Sequence, residues 1–184
     1  MMTTTHVAMG LAGVSLLVPV SPELATVAGF AAVAGGIFPD LDVVGAHRKS
    51  LHHPEVYRVL ALVAAGIAVL RPGVATVAVA AFFASAAIHS LSDVFGGGLG
   101  LRPWENDDER GIYLHTADRW VPPKRWVRYD GAPEDLLAVT IFSIPPWVAF
   151  GSPIRELLVL GLGVSVLYVA VRKPMVDVYE RLTG

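Results

Sequence analysis

Residues 74–93 read VATVAVAAFFASAAIHSLSD, an uncharged apolar run that ends in a histidine and an aspartate. A run of this length is typical of a helix that crosses a membrane, which needs about 20 mainly apolar residues. On such a helix His89 and Asp93 stand four residues apart and lie on one face. Ionisable side chains in this setting are costly and usually serve a function. The stretch therefore indicates both a membrane architecture and a functional site.

The rest of the chain has the same apolar character. Its 184 residues are 54% hydrophobic and only 16% charged, whereas a soluble domain has about 25% charged residues. Turns rich in Gly and Pro separate six apolar segments, at 7–19, 22–38, 56–70, 74–95, 134–150 and 154–171. Small residues fill these runs, and apolar and polar positions do not alternate, which favours helices over a β-barrel.

We therefore predict a single all-α domain over 1–184, a polytopic membrane bundle of about six short helices in three hairpins. A very apolar soluble bundle is the alternative. Pro145 and Pro146 are expected to break or kink the fifth helix, because neither can donate a helical N–H. The start of the chain has no Lys or Arg, so we interpret the first run as part of the mature protein rather than as a signal peptide.

Composition also limits the chemistry. The net charge of −2 argues against a nucleic-acid partner. The chain has no cysteine, which excludes disulfides and thiolate zinc sites. A metal site in this chain must use histidine nitrogen and carboxylate oxygen.

Hairpin topology places four parts of the chain on one face of the bundle: the N-terminus, the 39–55 loop, the long polar loop 96–133 and the C-terminal tail. By this assignment twelve of the 14 Lys and Arg residues lie on that face, and only Arg71 and Arg155 lie opposite. The positive-inside rule then directs the face to the cytoplasm, in an inner or plasma membrane. The aromatic and basic residues of the 96–133 loop form either an interfacial belt or a lid.

Metal-type ligands collect on this same face. Asp40 and Asp42 follow Pro39, and if this stretch is extended both carboxylates point the same way. The full set of predicted ligands is His6, Asp40, Asp42, His47, His52, His89 and Asp93. They suit two or three divalent cations, with zinc favoured and manganese or iron possible. Taken singly, the aspartates also fit a solvated turn, and His89 with Asp93 also fits a hydrogen-bonded pair.

Three residues near these ligands are candidates for catalysis. Arg48 carries a planar fork that matches phosphate, although a lipid headgroup or a carboxylate is an alternative partner. Asp42 and His53 are candidates for the general base. His115 has no cluster partner and is expected at the surface. The chain contains neither a GxSxG nucleophile elbow nor a Walker phosphate loop.

The ordered motifs resemble the YdjM-like inner-membrane metal-dependent hydrolases, which are grouped with zinc-dependent phospholipase C. The resemblance is carried by the N-terminal His6, GGIFPDLD at 35–42, His-Arg at 47–48 followed by His52, His89 through Asp93, and LRPW at 101–104. Lys49, Leu51 and His53 depart from the family's His-Arg-Gly-x-Thr-His-Ser pattern. The resemblance implies a helical fold, the seven ligands above and metal-dependent hydrolysis of phosphoesters.

These observations lead to one functional hypothesis and two alternatives. The hypothesis is a membrane-bound metal-dependent hydrolase that acts on phosphoesters such as phospholipids or lipid-linked phosphates, with membrane lipids as its partners. The alternatives are a metal ion transporter and a non-catalytic membrane protein that binds metal. A transporter places its ligands near the middle of the bilayer, whereas these ligands cluster at one edge.

Overall fold

A computed structural model describes residues 1–183, which form a bundle of six α-helices. The helices are α1 (Thr3–Val14), α2 (Pro22–Ile37), α3 (Pro54–Leu70), α4 (Val74–Ser92), α5 (Pro133–Ala149) and α6 (Ile154–Thr183). Short 3-10 turns extend the first, second and fourth helices, at Ser15–Leu17, Phe38–Val44 and Asp93–Phe95. The prediction of an all-α bundle is confirmed, although α6, with 30 residues, is longer than expected.

Three of the described helical segments are long and apolar enough to cross a membrane. They are Pro22–Val44, Val74–Phe95 and Ile154–Thr183, whereas Thr3–Leu17 is apolar but shorter. Many large apolar side chains on the outside of the bundle are exposed, among them Leu62, Ile144 and Leu167. Exposed apolar surface of this extent marks contact with a membrane or a partner, which supports membrane association.

Helix α1 lies at the centre of the bundle, where it packs against α2, α4, α5 and α6. Two glycines of α2 permit this close packing. A Cβ atom on Gly36 would lie 2.9 Å from the Cα of Val7, and one on Gly35 would overlap the backbone carbonyl of Phe82. Because α2 comes this close to both neighbours, histidines of α1 and α4 meet. The rings of His6 and His89 stack with centroids 3.8 Å apart.

Gly35→Ala is expected to destabilise the bundle, because the new methyl group meets a rigid backbone carbonyl of α4. Overpacking of this kind costs about 1–3 kcal/mol, and the thermal unfolding midpoint in detergent measures it. Gly66→Ala is the matched control, since a Cβ at that helical position has no described neighbour within 4 Å. Equal midpoints for the two variants would contradict the close α2–α4 contact.

The long polar loop folds over the helix ends and contains a small hairpin that the sequence did not predict. Strands β1 (Ile112–Leu114) and β2 (Arg119–Val121) pair antiparallel, with Tyr113 opposite Trp120. The end of the loop is attached to the end of α4, because the Val127 amide donates to the Phe95 carbonyl at 3.0 Å. The loop is therefore held beside the site face.

Of the break or kink predicted at Pro145 and Pro146, the break is wrong. Helix α5 runs through both prolines to Ala149, and the Phe150 amide donates to the Pro146 carbonyl at 2.9 Å. The two prolines lie about one turn before the end of the helix. At that position the missing N–H groups cost the helix only a few backbone hydrogen bonds, and the rest of α5 keeps its own.

Candidate metal centre

The structure brings all seven predicted ligands together at one end of the bundle. They come from α1, from the turn after α2, from residues 45–53 and from the end of α4. They form three overlapping groups whose ligand atoms lie within 4.8 Å of one another: His6, His89 and Asp93; Asp40, His52 and His89; Asp42, His47 and His52. Several His and Asp groups of this chain can therefore hold a metal ion.

Three buried imidazole nitrogens form the centre of the cluster. The residues His6, His52 and His89 are 0%, 2% and 0% exposed. Within residues 1–183, none of their Nε2 atoms has a hydrogen-bond partner. A buried polar atom without a partner is costly and calls for an explanation such as an ion. The Nε2 atoms of His52 and His89 face the carboxylates of both Asp40 and Asp93, and that of His6 faces Asp93.

Four of these atoms outline a coordination shell. His89 Nε2 lies 3.3 Å from Asp40 Oδ1 and 3.8 Å from Asp93 Oδ2. His52 Nε2 lies 3.3 Å from Asp93 Oδ2 and 3.7 Å from Asp40 Oδ1. Ligands about 2.1 Å from a tetrahedral zinc are about 3.4 Å from one another. We call Asp40, His52, His89 and Asp93 the ligand quartet.

The opposite nitrogen of each imidazole is already engaged, which fixes the tautomer. His89 Nδ1 donates to the Gly36 carbonyl at 2.6 Å, and His52 Nδ1 donates to Asp42 Oδ2 at 3.0 Å. Ser92 Oγ donates to the His89 carbonyl, so it accepts from His6 Nδ1 at 2.9 Å. Each ring therefore presents its Nε2 lone pair to the cluster, as a metal-binding histidine does.

Charge in the cluster also favours a cation. Burial, the largest single influence, lowers the pKa of His52, but the hydrogen bonds and charges of Asp93 and Asp42 outweigh it and raise that pKa. Asp42 faces Nδ1 of the ring and Asp93 faces Nε2, so a positive charge bound at Nε2 is favoured. A divalent cation at this position would replace the proton.

Asp42 does not point the same way as Asp40, so that part of the prediction is wrong. Both residues lie in a 3-10 turn rather than in an extended stretch, and residues two apart in a 3-10 helix point in different directions. Asp42 Oδ1 accepts from His47 Nδ1 at 2.8 Å, and Oδ2 accepts from His52 and from the Leu51 amide. Asp42 therefore lies behind the quartet, where it orients two imidazoles.

Asp42→Asn is expected to weaken metal binding by about 10- to 100-fold, the usual effect of losing the hydrogen-bond acceptor of a ligand histidine. An amide NH₂ in place of one oxygen would face an imidazole N–H. Titration of the metal-free protein with zinc measures the change. Asp107→Asn, at an exposed position, removes the same charge as a control. Equal affinity in both variants would exclude the orienting role.

Arg48 is buried, and its side chain points into the cluster. Its Nη2 lies 3.3 Å from Asp93 Oδ1, and its Nη1 donates to the Gly97 carbonyl at 2.8 Å. Its backbone has a φ of 59°, a left-handed conformation that non-glycine residues adopt at a cost and that clusters at functional sites. Of the partners considered for Arg48, the structure shows a carboxylate, that of Asp93.

Two further histidines lie outside the quartet. His53 Nε2 donates to the Ser50 carbonyl at 3.0 Å, and its ring stacks on His115 with centroids 4.1 Å apart. His115 Nε2 donates to the backbone carbonyl of His52 at 2.9 Å. The structure thus gives His53, a candidate base, no contact with the quartet. His115 has a partner that the sequence did not reveal.

A cavity of about 480 Å³ opens beside the quartet. Asp40, with 22% of its side chain exposed, lines this cavity together with His47 and Arg48. Asp130 also lines the cavity. Burial raises the pKa of Asp130, but the hydrogen bonds and charge of Arg172 and the hydrogen bond from Tyr168 outweigh it and lower that pKa. A small polar ligand therefore has access to one edge of the quartet.

Comparison of the chain with protein-family models, with curated proteins and with solved structures finds no match.

Proposed function

We propose that this protein is an integral membrane hydrolase that uses divalent metal to cleave phosphoesters of lipids. The observation that carries the proposal is the set of three buried imidazoles, each engaged at Nδ1 and free at Nε2, that face Asp40 and Asp93 beside an open cavity. Ionisable groups at the ends of membrane-length helices are usually functional.

The quartet is the proposed site of the first cation. Two nitrogen and two carboxylate oxygen ligands suit zinc, and manganese or iron are the alternatives. His6 Nε2 lies 3.2 Å from Asp93 Oδ1, the oxygen that does not face His52. His6 and Asp93 would hold a second cation, if one binds. The remaining ligand group, Asp42, His47 and His52, is assigned no third cation, because the Nδ1 atoms of both histidines already donate to Asp42.

A cation held by the quartet would supply charge that polarises a phosphoryl oxygen and lowers the pKa of a water toward about 7. His47 is the proposed base, since it lines the cavity and its Nδ1 is engaged by Asp42. In the reaction a water oxygen bonds to phosphorus, the ester P–O bond breaks, and the water proton passes through His47 to the departing alcohol oxygen. Arg48 positions Asp93.

The place of the site in the fold supports a lipid substrate and a cytoplasmic orientation. The quartet lies at the ends of Pro22–Val44 and Val74–Phe95, two membrane-length segments, which is the level of lipid headgroups. Basic residues are concentrated on this face, and positive charge favours the cytoplasmic side. The resemblance to the YdjM-like hydrolases supports the same substrate class.

Purified protein in proteoliposomes separates the proposal from its rivals. We expect bound zinc, and phosphate release from phosphatidic acid that stops with a chelator and resumes when zinc is returned. Zinc flux across the vesicle without hydrolysis would identify a transporter instead. Bound zinc with neither activity would identify a non-catalytic metal-binding protein, and protein without metal would contradict all three interpretations.

A further inference from the structure

A second cavity, of about 230 Å³, lies between α1, α2, α5 and α6. Apolar side chains such as Val7, Leu11, Val33 and Leu157 form nearly all of its wall. The hydroxyl of Ser143, one of the few polar groups there, donates to the Val139 carbonyl at 2.7 Å. The cavity therefore offers an apolar groove with no polar group in need of a ligand.

The groove adjoins the polar cavity beside the metal centre. Thr3, Thr4 and Val164 line both spaces. The Thr3 hydroxyl also donates to Asp40 of the quartet. An amphipathic molecule can thus place its polar end beside Asp40 and its apolar end along α1 and α6.

The groove opens sideways where a membrane would surround the bundle. Its wall includes Leu160 and Val164 of α6, which are 64% and 50% exposed. Both residues lie in the membrane-length segment Ile154–Thr183. Hydrocarbon chains are the solvent at this depth, so a lipid chain can enter the groove without crossing water.

We propose that the groove binds the hydrocarbon chain of the lipid whose phosphate group reaches the metal centre. The inference rests on the proposed function. It adds the path of the substrate, which enters the groove sideways from the bilayer. It also makes chain length a determinant of specificity. A soluble phosphoester would contact the polar cavity alone and leave the groove unused.

Two glycines of α6 provide a matched pair of variants. Gly161 lines the groove, and a Cβ there would lie 4.0 Å from its nearest neighbour, Thr4 Cγ2. Gly163 is exposed, lines neither cavity, and a Cβ there has no described neighbour within 4 Å. Gly161→Leu fills the groove, whereas Gly163→Leu adds the same side chain on the outer surface. Both changes improve helix propensity.

The first measurement is kcat/KM for dipalmitoyl and for dibutyryl phosphatidic acid. Gly161→Leu is expected to lower the value for the dipalmitoyl lipid by about tenfold or more, because its side chain occupies the space of several methylenes. The value for the dibutyryl lipid is expected to stay unchanged, and Gly163→Leu is expected to change neither. An equal effect of Gly161→Leu on both substrates, or no effect, would overturn the inference.

The second measurement needs no turnover. Phosphatidic acid with a diazirine in its acyl chain is irradiated with the metal-loaded protein in liposomes, and labelled peptides are mapped by mass spectrometry. We expect labelling of α1 and of residues 157–164, reduced in Gly161→Leu but not in Gly163→Leu. Labelling spread evenly over the outer faces of the helices would overturn the inference. Labelling of the groove without phosphate release would support binding of the lipid chain and contradict the proposed hydrolase activity.

Discussion

Purified His89→Ala protein is expected to contain no zinc and to release no phosphate from phosphatidic acid. His89 Nε2 faces Asp40 at 3.3 Å and belongs to two of the three ligand groups. Its loss leaves His52, Asp40 and Asp93, one ligand short of the quartet proposed to hold the cation. Phosphate release is expected to fall by about three orders of magnitude or more, because the acidified water nucleophile is lost. Elemental analysis and a phosphate assay measure the two effects.

His53→Ala is the control for the His89 variant. It removes an imidazole from the same face of the protein, but His53 contacts Ser50 and His115 rather than the quartet. We expect this variant to keep its zinc. If His53→Ala lost zinc while His89→Ala kept it, the placement of the metal centre would be wrong.

Arg48→Leu is expected to lower the thermal stability of the metal-free protein. Arg48 and Asp93 are buried and lie 3.3 Å apart, and removing one partner of a buried ion pair costs about 3–5 kcal/mol. For a chain of this size the loss corresponds to a drop of about 10 °C in the unfolding midpoint in detergent. Added zinc is expected to reduce the difference in unfolding midpoint between Arg48→Leu and the wild type. The cation binds the folded state and also compensates the charge of Asp93.

Arg58→Leu provides the comparison, because Arg58 is exposed and exposed charges contribute little to stability. Its midpoint is expected to stay near that of the wild type. If the Arg48 and Arg58 variants had the same unfolding midpoint, the Arg48–Asp93 contact would make no contribution to stability.

The meeting of the predicted ligands at one end of the bundle could be predicted because two simple rules act together. Spacing on a helix places His89 and Asp93 on one face, and their atoms lie 3.8 Å apart. Hairpin connections bring the starts and ends of distant helices to one side of a bundle, so His6 and Asp40 join them. Neither rule requires knowledge of the packing.

The partners behind the ligands could not be derived in the same way. His89 is held by the Gly36 carbonyl, and His6 is held by Ser92. A backbone carbonyl has no signature in the sequence. Nothing in the sequence distinguishes Ser92 from other serines as the partner of a histidine. The orientation of Asp42 depends on the 3-10 turn at Phe38–Val44, a local choice that an interfacial Pro-Asp stretch does not specify.

The anchor of α1 was missed for a related reason. Asp135, fully buried, accepts from the Met2 amide and from the Thr5 hydroxyl at 2.7 Å each. These bonds fix the start of α1 against α5 and so place His6. An acidic residue in the first turn of a helix is usually interpreted as a favourable partner of the helix dipole, and its long-range partners appear only in three dimensions.

X-ray absorption at the zinc edge of the purified wild-type protein tests the central claim most directly. A cation bound by imidazole nitrogens and carboxylate oxygens gives a first shell of light atoms at about 2.0–2.1 Å. We predict this shell together with the outer-shell scattering of at least two imidazole rings. Zinc absent from the protein, or zinc whose spectrum shows only water and no imidazole, would contradict the assignment of His52 and His89 as its ligands.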